Sequence, residues 1–110
     1  MNLPQEPLNL DVMRASADKA SNLLKVLSNR DRLMLLCQLS QGELCVSDLE
    51  KTLGLQQPTL SQQLTVLRQE QLVNTRREGK QIFYSIASAE AMAVMQLLYQ
   101  LYCNQCQEVL

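Results

Sequence analysis

The chain contains no histidine, no tryptophan, and only three glycines and three prolines among 110 residues. Losing histidine removes the commonest metal ligand and the usual general base together, so no enzyme activity, no metal and no cofactor is expected. No apolar run approaches the roughly 20 residues that span a bilayer. Residues 1–10 also lack the basic start and apolar stretch of a signal peptide, so a cytoplasmic location is the expectation. There is no overall basic surplus either, since the net charge is -1. Any case for nucleic-acid binding must therefore rest on where the positive charges lie.

What remains is ordinary globular material: 46% of residues are apolar and 19% charged, too apolar for a disordered chain. The length suits one domain, residues 1–110, with residues 1–9 expected as a flexible arm. No internal repeat, low-complexity tract or linker divides it. Four cysteines in a chain with no export signal point to reduced or redox-active thiols rather than a disulfide framework.

Periodicity lays out the elements. Met13, Ala17, Ala20, Leu24 and Leu27 recur at steps of four and three, the stripe of an amphipathic helix. Ser28 and Asn29 restart the chain, and Leu33, Leu36 and Cys37 continue the helical spacing up to Gly42. Ser47 with Glu50 has the form of a capping box for a short third helix that Gly54 ends. Pro58 suits the first turn of a fourth helix, whose buried seam is Leu60, Leu64 and Leu67. After Gln71 the period changes. Residues 72–76 and 81–86 form two strands around Glu78, Gly79 and Lys80, a hairpin. Ser88 caps a last helix that runs to about Cys103. That helix is apolar around most of its girth, with Gln96, Gln100 and Asn104 as a narrow polar stripe, and a second subunit is the economical cover. The expected fold is mainly α with a small β-hairpin wing (α+β): four helices, two strands and a final helix.

Two short helices joined by a tight turn and followed at once by a hairpin are the parts of a winged helix-turn-helix. Gln57, Thr59, Ser61, Gln62 and Gln63 are small hydroxyl and amide side chains that approach base edges closely, and glutamine pairs with adenine in two places. Arg68, Arg76, Arg77 and Lys80 crowd four positive charges into thirteen positions, suited to holding phosphates. Any one of these residues alone reads better as solvated surface. Their convergence on a helix and the adjoining wing favours double-stranded operator DNA as the partner.

The stretch Leu27-Ser28-Asn29-Arg30-Asp31-Arg32-Leu33 carries a wider likeness, together with the residue 47–55 helix, Leu60-Ser61-Gln62-Gln63-Leu64, and the wing Arg77-Glu78-Gly79-Lys80-Gln81 running into Phe83-Tyr84-Ser85-Ile86. In these the chain resembles the ArsR/SmtB family of bacterial transcription factors across nearly its whole length. The resemblance implies a winged-helix homodimer, paired through its first and last helices, that represses an operon until an inducer releases it. Gln63 stands where many members carry histidine.

The same resemblance sorts the cysteines. The segment from Glu43 to Leu49 looks like the family's metal box, yet Ser47 occupies the place of its second cysteine, and one thiolate does not make a soft-metal site. Cys37 and Cys103 match the reactive-sulfur-sensing branch (BigR, SqrR and HlyU-like proteins), in which one cysteine on each of these two helices forms the switch. The implied inducer is a persulfide, polysulfide or oxidant that bridges the pair. By composition alone, Cys37 reads as a buried small apolar residue, Cys45 as a packing residue and Cys106 as a spare thiol. Three rival readings stay open. One is a thiolate metalloregulator for arsenite, cadmium or copper using Cys45, Cys103 and Cys106. Another is a thiol enzyme or redox carrier built on Cys103 and Cys106, with no histidine to activate a nucleophile. The third is an activator that displaces a DNA-bound silencer using the same fold.

Overall fold

The computed structural model describes residues 9–103. The expected arm is therefore described only at Asn9, and Asn104 and Cys106 lie outside the described residues. Helix α1 (Leu10–Leu27) starts where Asn9 Oδ1 accepts from the Asp11 and Val12 amides at 2.8 and 3.2 Å. Asn29 repeats the device for α2 (Arg30–Leu39), accepting from the Arg32 amide at 3.0 Å. Each cap satisfies amides that the first helical turn leaves without a partner. Then follow β1 (Leu44–Cys45), α3 (Val46–Leu53), α4 (Gln57–Gln69), β2 (Val73–Glu78), β3 (Gln81–Ile86) and α5 (Ala89–Leu98), which runs into a π-helical turn from Tyr99 to Cys103.

Strand β1 departs from the expected order, because two residues are too few to show alternation. It pairs antiparallel with β3, Leu44 opposite Tyr84 and Cys45 opposite Phe83, making a three-stranded sheet in the order β1-β3-β2. The β2–β3 hairpin pairs Val73 with Ile86 through to Glu78 with Gln81. Its two-residue loop begins at Gly79 with φ 63°, a backbone that glycine adopts without penalty.

The expected capping box at Ser47 is corrected. The N-cap is Cys45, Ser47 already lies inside α3, and no side chain caps the helix, because pairing of β1 with β3 carries the chain in extended form as far as Cys45 and the helix starts at once after it. Gly54 ends α3 in the left-handed conformation, φ 67°, as its position implied. The end of α4 does the same without a glycine. Gln71 adopts φ 61°, its amide donates to the Arg68 carbonyl at 3.0 Å, and the Leu72 amide donates to the Leu67 carbonyl at 3.0 Å. This is a Schellman motif, closed by burial of both Leu67 and Leu72.

The core is leucine: Leu35, Leu36 and Leu39 of α2 meet Leu49 of α3 and Leu60 and Leu67 of α4, all fully buried, with Tyr84, Ala91 and Met95 completing the cluster. Burying one such leucine contributes about 1.5–3 kcal/mol, and α2 is the support on which α3 and α4 sit. Helix α1 contrasts with it. Only Val26 and Leu27 are buried, while Met13 and Leu24 of the apolar stripe stay exposed at 42% and 60%, as does Leu10 before them at 54%. On the last helix Gln96 and Gln100 of the polar stripe are exposed, and so are Leu97, Leu101 and Tyr102 of its apolar girth.

Candidate DNA-reading face and dithiol site

Helix α4 turns Leu60, Leu64 and Leu67 into the core, which leaves Gln57, Ser61, Gln62, Thr65 and Arg68 exposed on the opposite side. Thr65 Oγ1 donates to the Ser61 carbonyl at 2.8 Å. Thr59 is half-buried at the edge of this face. Gln63 is less open than its neighbours on this face. It is half-buried, and its Oε1 accepts a 3.0 Å hydrogen bond from Arg32 of α2. Arg32 is also bound through Nε to the Val26 carbonyl at 2.7 Å, so one guanidinium ties α1, α2 and α4 together.

On the wing, one of the basic residues has protein partners. Arg76, read as a phosphate holder, is already engaged by protein. Its guanidinium donates to both Glu43 carboxylate oxygens at 2.8–2.9 Å and to Glu78 Oε2 at 2.7 Å, and it lies over the Phe83 ring with 4.6 Å to the centroid. The sheet explains this. Arg76 and Cys45 both pair with Phe83, and Glu43 precedes Cys45 by two, so alternation puts all four on one face. Hydrogen bonding to Glu43 and then Glu78 drives the Arg76 pKa further above its already high value. Arg77 and Lys80 stay exposed, with Arg77 Nε reaching only the Gly79 carbonyl at 3.3 Å.

Cys37 on α2 and Cys103 at the end of the π turn line one cavity of about 250 Å³ together with Leu33, Met34, Met95, Leu98, Tyr99 and Tyr102. Cys37 is half-buried and Cys103 exposed, and both are free thiols. The Cys37 pKa is raised, first by burial, then by the negative charge and hydrogen bonding of the Cys103 sulfur beside it. The pair expected from the resemblance is thus brought together in space. Cys45 is instead buried, with Sγ 3.2 Å from Ser47 Oγ and 3.2 Å from Asp48 Oδ2, and lies outside the main core cluster. Among the described residues, no group of three or more histidine, cysteine, aspartate or glutamate side chains is placed to hold a metal ion. No helix among them is long and apolar enough to cross a membrane.

Comparison with known proteins decides the family. Residues 29–75 match the bacterial regulatory protein, arsR family. The biofilm growth-associated repressor of Xylella fastidiosa strain Temecula1 is 50% identical over 93 residues, 84% of this chain and 82% of that protein. The chain belongs to the arsR family. The transcriptional activator HlyU of Vibrio cholerae is 45% identical over 98 residues, covering 89% of this chain and 91% of the relative. The solved structure of reduced HlyU from Vibrio cholerae superposes with a TM-score of 0.82 at 45% identity, over 86% of this chain and 99% of that one. The protein is therefore a winged-helix, DNA-binding transcriptional regulator in the BigR and HlyU branch of the arsR family, not an enzyme.

Sequence reasoning missed Glu43 and Arg32. Glu43 gave no signal, because its partner lies 33 positions away and the two meet only through pairing of the unforeseen strand β1 with β3. Arg32 had one: a basic residue three past the Asn29 cap, on the side of α2 that faces α4.

Proposed function

We propose that this arsR-family regulator is a homodimeric repressor that leaves its operator when reactive sulfur species or oxidants bridge Cys37 and Cys103. The observation that carries the reading is the sharing of one cavity by a half-buried and an exposed thiol, close enough for the second sulfur to raise the pKa of the first. Cys37 sits on α2, the helix packed beneath α4. A bridge to the last helix would therefore strain the packing that sets the spacing of the two recognition helices in a dimer.

Dimerisation through the first and last helices is supported by apolar surface that one subunit leaves open. Leu10, Met13, Ala17, Ala20 and Leu24 form a seam at steps of three and four along α1, and Leu97, Leu101 and Tyr102 extend the open surface on the last helix. In the DNA-bound dimer, Gln57, Thr59, Ser61, Gln62 and Gln63 read base edges, and Arg68, Arg77 and Lys80 hold phosphates. Arg76, clasped by Glu43 and Glu78, is held back from the phosphates.

Operator binding in a gel shift, with the protein reduced, diamide-treated and persulfide-treated and its intact mass read afterwards, tests the reading. Tight binding when reduced and weak binding once Cys37 and Cys103 are linked is expected. Unchanged binding after complete modification would remove the sensor and leave the regulator.

A further inference from the structure

The cavity at the two thiols has a chemical character of its own. Leu33, Met34, Met95 and Leu98 wall it, two tyrosine rings complete it, and no aspartate, glutamate, lysine or arginine among the described residues lines it. Its volume, about 250 Å³, is below the roughly 300–1,000 Å³ typical of sites that enclose drug-sized ligands. A carboxylate or ammonium group brought here would lose water and meet no counter-charge, whereas an alkyl or aryl group would gain by burial.

We propose that this cavity selects the sulfur donor, admitting small persulfides with an uncharged apolar substituent in preference to charged tripeptide persulfides such as that of glutathione. The proposal rests on the dithiol reading above and names its substrate class. The donor R–S–SH seats R against Leu33, Met34, Met95 and Leu98. The exposed Cys103 thiolate attacks the terminal sulfur, forming Cys103–S–SH and breaking the donor's S–S bond with release of R–S⁻, which takes up a proton from solvent. Cys37 then loses its proton to solvent and attacks the Cys103 sulfur, forming the Cys37–Cys103 bond and expelling HS⁻. The protein dithiol is oxidised by two electrons and the sulfane sulfur is reduced to sulfide. Overall, the dithiol and R–S–SH give the disulfide, R–SH and hydrogen sulfide.

The test measures bridge formation in the reduced full-length chain by intact mass. Benzyl hydropersulfide and glutathione persulfide are supplied at equal concentration and pH. Apolar discrimination of this kind predicts that the benzyl donor reacts faster by about tenfold or more. Met34→Arg, placed on the cavity wall, should pull that ratio toward one by giving the tripeptide carboxylates a partner, and operator binding of the reduced variant serves as its fold control. Should the variant fail to fold, the ratio measured on the unaltered chain decides by itself. Equal rates, or a faster tripeptide donor, would overturn the selection and leave the dithiol switch standing. No bridge from either donor would overturn both.

Discussion

Arg32 on α2 donates a 3.0 Å hydrogen bond to Gln63 Oε1 on α4 while its Nε holds the Val26 carbonyl at the end of α1. The helix that carries Cys37 is thereby fastened to the helix that reads DNA by a charge-assisted bond within a half-buried setting. Gln63→Ala should destabilise the protein by about 1–2 kcal/mol, the scale of a hydrogen bond to a charged group. It should also shrink the difference in operator affinity between the reduced and bridged forms. Gln63→Glu keeps an acceptor and should retain the stability. Urea denaturation at fixed protein concentration, with fluorescence anisotropy on operator DNA, checks both.

At Gln71 the chain holds a non-glycine residue at φ 61° to close the Schellman motif after α4. Relief of left-handed strain outweighs the extra freedom that glycine gives the unfolded chain, so Gln71→Gly should stabilise by roughly 0.5–1 kcal/mol. A fall in the urea midpoint at unchanged slope would contradict this.

The clasp of Arg76 by Glu43 and Glu78 costs the wing one free cation. Glu43→Gln should release it toward a phosphate in each subunit, tightening operator binding and steepening the slope of log K against log salt by about 1.8, about 0.9 for each of the two extra phosphates neutralised. An unchanged slope would mean that Arg76 stays on Phe83 and Glu78 even beside DNA.

These particulars show how much of the molecule is legible in its sequence. The helices, the hairpin, the leucine seam of α4 and the Ser88 cap, which accepts from the Ala91 amide at 3.0 Å, all follow from local periodicity and cap chemistry. So does the placement of Arg77, Lys80 and most of the α4 outer face. Strand β1 does not, because a two-residue strand exists only through its long-range partner. Gln63 and Arg76 escape a local reading for a related reason: whether a polar side chain is free depends on partners 31 and 33 positions away, which no window of sequence reveals. The meeting of Cys37 and Cys103 follows from family resemblance, and their separation of 66 positions carries no local signal.

The raised pKa of Cys37 gives a pH dependence with a definite sign. The folded state binds this proton more tightly than the unfolded chain, so its contribution to stability is fully present below the ordinary thiol value of 9.0 and is lost as pH rises from there through the raised value. Closure of the bridge needs the Cys37 thiolate, so the second step should accelerate with pH over that same alkaline range. Stopped-flow quench with mass readout, comparing the chain with Cys37→Ser, separates this step from the first. A bridging rate that levels off below pH 9 would contradict the assignment of Cys37 as the closing thiol.

The most direct test of the switch is the ratio of operator Kd values before and after persulfide treatment, measured by anisotropy for the unaltered chain, Cys37→Ser and Cys103→Ser. A dithiol switch predicts a loss of affinity of at least about tenfold for the unaltered chain, a coupling of some 1.4 kcal/mol, and a ratio near one for both variants, whose reduced forms bind normally. A fully bridged chain that binds as tightly as the reduced one, or serine variants that respond as the unaltered chain does, would contradict it.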